Sequence, residues 1–132
     1  MNSLCTYMHP DWEFKLWTDE DARNFIATEF PEALENYDSY PYTIQRVDAI
    51  RYYILLKFGG FYLDLDVGCA MRLDALREYE LLLPQTEPVG VSNDVMIAAP
   101  NSTFFKQLVD ELPKWNHYYG TKYPTVFFST GN

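Results

Sequence analysis

Basic residues are scarce in this 132-residue sequence. Ten lysines and arginines stand against 19 aspartates and glutamates, which gives a formal net charge of −9. Nucleic acids and anionic membrane surfaces attract basic proteins and repel acidic ones. The charge therefore argues against nucleic acid or an anionic membrane as the main partner, and it is compatible with binding of a divalent cation.

Cysteine is also rare, with Cys5 and Cys69 as the only examples. Two cysteines so far apart match no metal-binding spacing and cannot form the disulfide framework of a small secreted domain. They could form one disulfide or remain two free thiols. The sequence alone leaves both possibilities open, and with them the cellular compartment.

Long apolar runs are missing. No stretch approaches the ~18 residues of a membrane-spanning helix, and residues 1–8 lack the basic flank and apolar core of a signal peptide. There is no internal repeat and no low-complexity linker. Hydrophobic residues still make up 48% of the chain, which is typical of a folded protein. We therefore expect residues 1–132 to form one soluble domain.

Strand and helix patterns alternate along the chain, which predicts an α/β fold. Thr18, followed by acidic residues and by Asp21 three positions on, predicts a capped helix start, and Pro31 interrupts that helix. The predicted helices cover about 18–30, 32–37, 43–58, 73–79 and 102–112. The predicted strands cover about 12–16, 61–66, 81–83, 89–91, 94–98 and 123–128.

Asn101 has two interpretations. With Ser102 and Thr103 it forms an N-glycosylation sequon, which matters only in a secretory compartment. Because it follows Pro100 and precedes a predicted helix, it also suits the helix N-cap position. The N-cap interpretation is the stronger of the two from the sequence.

Two carboxylates follow the helix predicted over 43–58. Gly59 and Gly60 predict its left-handed end, and the next strand carries Asp64 and Asp66 with one residue between them. That spacing places both acids on one strand face, with Cα atoms roughly 6.5 Å apart. Two oxygen ligands at this distance can share a hard cation, which can neutralise a diphosphate leaving group.

Asp48 and Arg51 lie three residues apart on the same predicted helix and therefore share a face. They could be a local ion pair without further function. Alternatively, Asp48 could accept hydrogen bonds from sugar hydroxyls, and Arg51 could donate to a phosphate or a sugar oxygen. Both interpretations remain open from the residues alone.

The combined pattern resembles the DxD-containing glycosyltransferases of family 32. The resemblance rests on the stretch from Leu16 to Asp19, on Ser92-Asn93-Asp94, on Thr125 to Gly131, and on the central motif Arg46-x-Asp48-x-x-Arg51-Tyr52-x-x-Leu55-x-x-x-Gly59-Gly60-x-Tyr62-x-Asp64-x-Asp66. The sequence is most similar to the fungal mannosyltransferases that act on inositol phosphoceramide.

The resemblance implies a GT-A-type nucleotide-diphospho-sugar transferase fold and a metal-dependent reaction that retains the anomeric configuration. It implies Mn²⁺ or Mg²⁺ as cofactor, GDP-mannose as donor, and a glycan or glycolipid such as inositol phosphoceramide as acceptor. It also implies a location in the Golgi membrane or lumen, since full-length relatives are membrane-anchored.

The resemblance also implies a role for each matching residue. Asp66 would ligate the metal, and Asp64 would contact the donor and reach the metal through water. Asp48 and Arg51 would hold the transferred sugar, with Tyr62 also on the donor side. Two further residues, Asn93 and Asp94, would lie on the acceptor side.

Two departures from the family pattern lead us to expect a partial catalytic domain, incomplete at both ends. The family's first strand has no counterpart before Tyr7, and the late His-containing segment that completes the metal site has none after Gly131. One alternative is therefore a non-catalytic truncated or degenerate paralogue that keeps the fold. A second alternative is an Asp-x-Asp phosphotransferase, although such enzymes place the motif near the N-terminus and a Thr soon after it.

Overall fold

The computed structural model describes residues 3–64, 68–85 and 94–115. Within these ranges four α-helices come first, three short strands follow, and a fifth α-helix comes last, so the expected alternation of strands and helices is not seen. The helices are α1 (Ser3–Met8), α2 (Asp19–Glu29), α3 (Leu34–Ser39), α4 (Thr43–Phe58) and α5 (Thr103–Glu111), and the strands are β1 (Gly60–Leu63), β2 (Leu81–Leu82) and β3 (Val95–Ala98). Short 3-10 turns cover Pro31–Ala33, Asp74–Glu78 and Leu112–Trp115. The predicted mixture of helices and strands is confirmed.

Helix α4 is the centre of the core. Its two ends match the prediction, because an apolar helical repeat runs without interruption up to Gly59. Ten of its sixteen residues are buried, so the helix packs on more than one side. Helices α2, α3 and α5 and strands β1 and β3 all contact it. The largest fully buried core side chains include Phe105, Ile26, Leu55 and Met96.

Helix α2 begins as its sequence predicts. The Thr18 hydroxyl accepts a hydrogen bond from the Asp21 backbone N–H at 3.1 Å, and the Thr18 N–H donates to the Asp21 carboxylate at 3.3 Å. This reciprocal pair satisfies two backbone donors at the helix start. Phe25 and Ile26 then face the core.

The sheet is antiparallel, with strand order β1–β3–β2. Gly60 pairs with Ala98 and Leu63 pairs with Val95, so β1 and β3 run in opposite directions along one ladder. Strand β2 joins the other edge of β3 through Leu81 and Leu82. The predicted strand over 94–98 is confirmed, whereas those over 89–91 and 123–128 lie outside the described residues.

The N-terminal segment is fastened to the chain that follows β1. We call the contacts between residues 5–12 and residues 69–77 the N-terminal clamp. A disulfide joins Cys5 to Cys69, and both half-cystines are buried. The Leu73 backbone N–H donates to His9 Nε2 at 2.8 Å, and the Trp12 indole N–H donates to Asp74 at 3.1 Å. The disulfide settles the question that the two cysteines left open.

The strand predicted over 12–16 is wrong, because residues 13–18 are irregular. The alternating pattern has a different cause. Trp12 packs on Phe61 of β1 with ring centroids 4.8 Å apart, and Trp17 packs on Phe25 of α2 at 5.3 Å. The segment therefore supplies side chains to two different neighbours, and its backbone pairs with none of the three described strands.

Two smaller expectations also change. The helix predicted over 73–79 is a 3-10 turn over Asp74–Glu78. The N-cap of α5 is Ser102, so the N-cap interpretation of Asn101 is wrong. Asn101 instead adopts a positive φ of 60° in the turn between β3 and α5.

Candidate functional site

A tight reversal at Gly59 builds the site. Gly59 has a φ of 65°, and a Cβ there would lie 2.5 Å from the Pro100 nitrogen and 2.8 Å from the Ala98 carbonyl oxygen. Only glycine combines this backbone conformation with this close approach. The chain can therefore end α4 and return at once as β1 against β3.

The reversal brings Arg51 of α4 beside Asp64 at the end of β1. Arg51 lies eight residues before Gly59, which is about 12 Å along a helix. Asp64 lies four residues after Gly60, which is about 13 Å along a strand. The two distances are nearly equal, and the chain covers them in opposite directions, so the two residues end side by side. Arg51 Nη1 lies 3.4 Å from Asp64 Oδ1.

Arg51 also binds Asp48, its neighbour one turn earlier. Arg51 Nη2 donates to Asp48 Oδ1 at 3.0 Å, and both side chains are about 95% buried. One guanidinium thus bridges two carboxylates from different elements through its two terminal nitrogens, in a geometry that its planar fork fixes more rigidly than a lysine ammonium would. The local ion pair expected from the sequence exists, and a third partner extends it.

Tyr62 completes this group of side chains. Its hydroxyl donates to Asp64 Oδ1 at 3.0 Å, and the Arg51 guanidinium lies 4.8 Å from the centre of its ring. Burial raises the pKa of Tyr62 above the ordinary value for tyrosine. The phenol therefore stays protonated near neutral pH and acts as a hydrogen-bond donor. We refer to Asp48, Arg51, Tyr62 and Asp64 as the carboxylate–arginine cluster.

Burial raises the pKa of Asp48 to about 6, with the Arg51 charge opposing this effect and the Asp64 charge adding to it. Asp48 is therefore ionised at neutral pH. Its Oδ2 atom is buried and accepts no hydrogen bond from the described residues. A buried acceptor without a donor is costly to a folded protein, and a ligand hydroxyl would satisfy it.

The cluster offers oxygen to a metal ion but does not enclose one. No group of three or more His, Cys, Asp or Glu in the described ranges could hold a metal by itself. The Asp64 side chain is 28% exposed, and Tyr62 and Arg51 both contact its Oδ1 atom. Magnesium is often bound by one or two carboxylates together with substrate phosphates. The residues present fit a cation that arrives with a diphosphate.

The other predicted site residues divide into two groups. The Asp64 backbone N–H donates to the Asp94 carbonyl at 2.9 Å, so Asp94 lies beside the cluster. Asp66 and Asn93 lie outside the described residues. The functional roles predicted from the sequence remain predictions for every site residue, namely Asp48, Arg51, Tyr62, Asp64, Asp66, Asn93 and Asp94.

Sequence reasoning missed one support of the site. Trp12 packs against Phe61 on one side of β1. The next residue, Tyr62, faces the other side of the strand and contacts Asp64 there. No sequence signal connects residues 49 positions apart in this way. The even number of cysteines was the one available hint that the N-terminal segment is fixed to the chain after β1.

The carboxylate–arginine cluster lies in a region of the chain that matches a known protein family. Residues 1–83 match the model of the glycosyltransferase sugar-binding region containing the DXD motif. This match contains α4, β1 and all four residues of the carboxylate–arginine cluster. The chain belongs to this glycosyltransferase family. The family expected from the resemblance is therefore confirmed.

Similar curated proteins include fungal enzymes. The glycosyltransferase chain is 51% identical over 127 residues to inositol phosphoceramide mannosyltransferase 3 of Schizosaccharomyces pombe, covering 96% of this chain and 36% of that protein. It is 47% identical to mannosyltransferase 2 of the same organism, with 96% and 37% covered. It is 45% identical to mannosyl phosphorylinositol ceramide synthase SUR1 of Saccharomyces cerevisiae, with 96% and 33% covered.

The glycosyltransferase chain thus spans about a third of the length of these relatives. No solved structure matches it. None of the helices in the described ranges is both long enough and apolar enough to cross a membrane.

Proposed function

We propose that this chain supplies the donor-sugar part of a metal-dependent, retaining mannosyltransferase of the GT-A fold. The observation that carries the proposal is that Arg51 contacts Asp48 at 3.0 Å and Asp64 at 3.4 Å. Two of these three charged groups are buried, and apolar residues would pack there at least as well. A role in packing therefore does not explain them. The transferred sugar is mannose and the acceptor is an inositol phosphoceramide, as the names of the relatives indicate. GDP-mannose as the donor, and a glycan as the other possible acceptor, follow from the family resemblance.

Each residue has a distinct task in this proposal. The buried, unsatisfied Oδ2 atom of Asp48 accepts a hydrogen bond from a hydroxyl of the transferred sugar, which removes the cost of leaving that atom without a donor. Arg51 donates to donor oxygens while it holds both carboxylates in place. Tyr62 holds the Asp64 carboxylate in place through the hydrogen bond that its hydroxyl donates.

Asp64 and Asp66 would hold the Mn²⁺ or Mg²⁺ ion. When bound, the cation supplies positive charge to the diphosphate that leaves with the nucleotide. The chain's own residues then act mainly by positioning and electrostatics, which together account for much of enzymatic rate acceleration. Asp94, whose carbonyl accepts a hydrogen bond from the Asp64 N–H at the end of β1, would lie on the acceptor side together with Asn93.

A lumenal location, as in the Golgi, goes with this assignment. The buried Cys5–Cys69 disulfide supports it, because disulfides form and persist in oxidising compartments and are rare in the cytosol. Family membership favours glycosyl transfer over the phosphoryl transfer of other Asp-x-Asp enzymes.

Calorimetry with GDP-mannose, with and without Mn²⁺, tests the proposal on the purified chain. We expect metal-dependent binding. Replacing Arg51 by Lys or Asp64 by Asn should weaken it at least tenfold, which corresponds to about 1.4 kcal/mol. The matched control is Asp38→Asn, which removes an exposed ion pair between α3 and Arg23 of α2 and should leave binding unchanged.

Turnover is measured by release of GDP in the presence of an acceptor lipid. Asp66→Ala should abolish it. Binding without turnover would indicate the non-catalytic paralogue. Metal-independent turnover, or full activity of Asp66→Ala, would disprove the assignment.

A further inference from the structure

The turn between β3 and α5 carries the sequence Asn101-Ser102-Thr103, which is the only Asn-x-Ser/Thr sequon in the chain. The proposed donor site makes no use of it. An N-cap role would have explained the asparagine, but the structure gives that position to Ser102. The sequon therefore needs another explanation.

Three features make Asn101 accessible to modification. Its side chain is exposed, as is that of Thr103. Asn101 lies in a turn, with a backbone φ of 60°. The Asn101 backbone N–H donates to the Leu56 carbonyl at 2.8 Å, and its side-chain amide makes no hydrogen bond to the described part of the chain.

A second observation, independent of the sequon, concerns the compartment. The Cys5–Cys69 disulfide is buried, with Cys5 2% and Cys69 4% exposed. A disulfide of this kind forms where the surroundings are oxidising. Sequon glycosylation operates in the same secretory compartments.

We propose that Asn101 carries an N-linked glycan. The donor class is a polyisoprenoid-diphosphate-linked oligosaccharide, supplied by the secretory pathway. The Asn101 Nδ2 atom forms a bond to C1 of the first sugar, the bond from C1 to the diphosphate oxygen breaks, and the amide proton leaves to the released diphosphate.

The sheet register predicts that this glycan stays clear of the carboxylate–arginine cluster. Asp64 follows Leu63, which pairs with Val95, whereas Asn101 follows Ala98, which pairs with Gly60. The two residues therefore lie beyond opposite ends of a four-residue ladder, which is about 10 Å long. The glycan would project from the Asn101 turn, which contacts the last turn of α4 through Leu56. Binding of the sugar donor should therefore not depend on the glycan.

The positive φ provides the competing explanation, since asparagine tolerates the left-handed region better than most residues. Two variants separate the explanations. Thr103→Ala destroys the sequon and keeps Asn101, and Asn101→Gly removes the acceptor amide and keeps the backbone conformation. Thr103→Ser is the matched control, because it changes the same position and preserves the sequon.

The chain is produced in a eukaryotic host and examined by immunoblot before and after peptide N-glycosidase treatment. We expect the wild-type chain and Thr103→Ser to shift on treatment, and Thr103→Ala and Asn101→Gly not to shift. Mass spectrometry should find Asn101 converted to aspartate by the enzyme in the wild-type chain.

The proposal is overturned if wild type and Thr103→Ala migrate alike before and after treatment and Asn101 is recovered unmodified. Calorimetry on the enzymatically deglycosylated chain keeps this result separate from the donor proposal, because that chain should bind GDP-mannose as the glycosylated one does.

Discussion

At the residue scale, the buried carboxyl of Asp48 should make the stability of the fold depend on pH. Burial raises the pKa of its carboxyl from 3.8 to about 6. The folded chain therefore binds this proton more tightly than the unfolded chain does. Protonation of Asp48 stabilises the fold fully below about pH 4, and the stabilisation is lost as the pH rises through about 6.

This gives a prediction for Asp48→Asn, which cannot titrate. The free energy of unfolding of the wild type minus that of the variant should fall by roughly 2 kcal/mol from pH 4 to pH 7. Urea denaturation at a series of pH values measures it. A difference that stays constant over this range would contradict the raised pKa.

Asp38 is the matched control at the same scale, since its behaviour should have the opposite sign. The hydrogen bond from Arg23 lowers the pKa of the exposed Asp38 carboxyl. The corresponding difference for Asp38→Asn should grow, not shrink, as the pH rises through the acid range. The two variants together separate the effect of burial from that of ion pairing.

At the scale of elements, the two adjacent glycines have unequal tasks. A Cβ at Gly59 would meet the backbone of Pro100 and Ala98 at 2.5 to 2.8 Å, whereas one at Gly60 would meet nothing within 4 Å. Both residues have positive φ. The strain of a left-handed residue costs about 1–2 kcal/mol, and overpacking adds typically about 1–3 kcal/mol.

We therefore expect Gly59→Ala to destabilise the fold more than Gly60→Ala, by roughly 2 kcal/mol. Because Gly59 joins α4 to β1, its variant should also weaken binding of GDP-mannose and Mn²⁺. Urea denaturation and calorimetry on both variants measure the two effects. Equal loss of stability would show that the close approach to Pro100 is unimportant.

The elements also show which parts of the fold can be predicted from sequence. Helix α4 could be placed residue by residue, because an apolar repeat and a glycine stop act locally. The pairing of Asp48 with Arg51 followed from helical spacing. The contact of Arg51 with Asp64 was not predicted, and the irregular path of residues 13–18 was missed. Both depend on tertiary partners, such as Phe61 for Trp12, that no local pattern encodes.

At the scale of the whole molecule, local stability should be uneven. The amides of α4 between Ala49 and Leu56 belong to buried residues in the centre of the core. The N-terminal clamp joins the short helix α1 to a segment without α-helix or strand through one disulfide and two side-chain hydrogen bonds, and residues 13–18 beside it are irregular. Such differences appear in hydrogen exchange, which is slowest in the core.

Replacing both Cys5 and Cys69 by Ala should lower the free energy of unfolding by about 4 kcal/mol in the loop-entropy model, given a separation of 64 residues. Hydrogen exchange should then accelerate in residues 5–12 and 69–77 well before it does in α4. Val109→Ala is the control, because it removes a buried side chain of α5 and leaves the clamp intact. Equal acceleration in the clamp for both variants would argue against a local role of the disulfide.

The Cys5–Cys69 bond has a topological consequence as well. It turns residues 5–69 into a closed covalent ring that contains α2, α3, α4 and β1. A single peptide-bond cleavage inside the ring, for example at the exposed residues Pro41 and Tyr42 before α4, leaves the two pieces joined. A nicked molecule would therefore migrate as one chain until it is reduced, and Asp48, Arg51 and Asp64 would stay on the same fragment after the reduction.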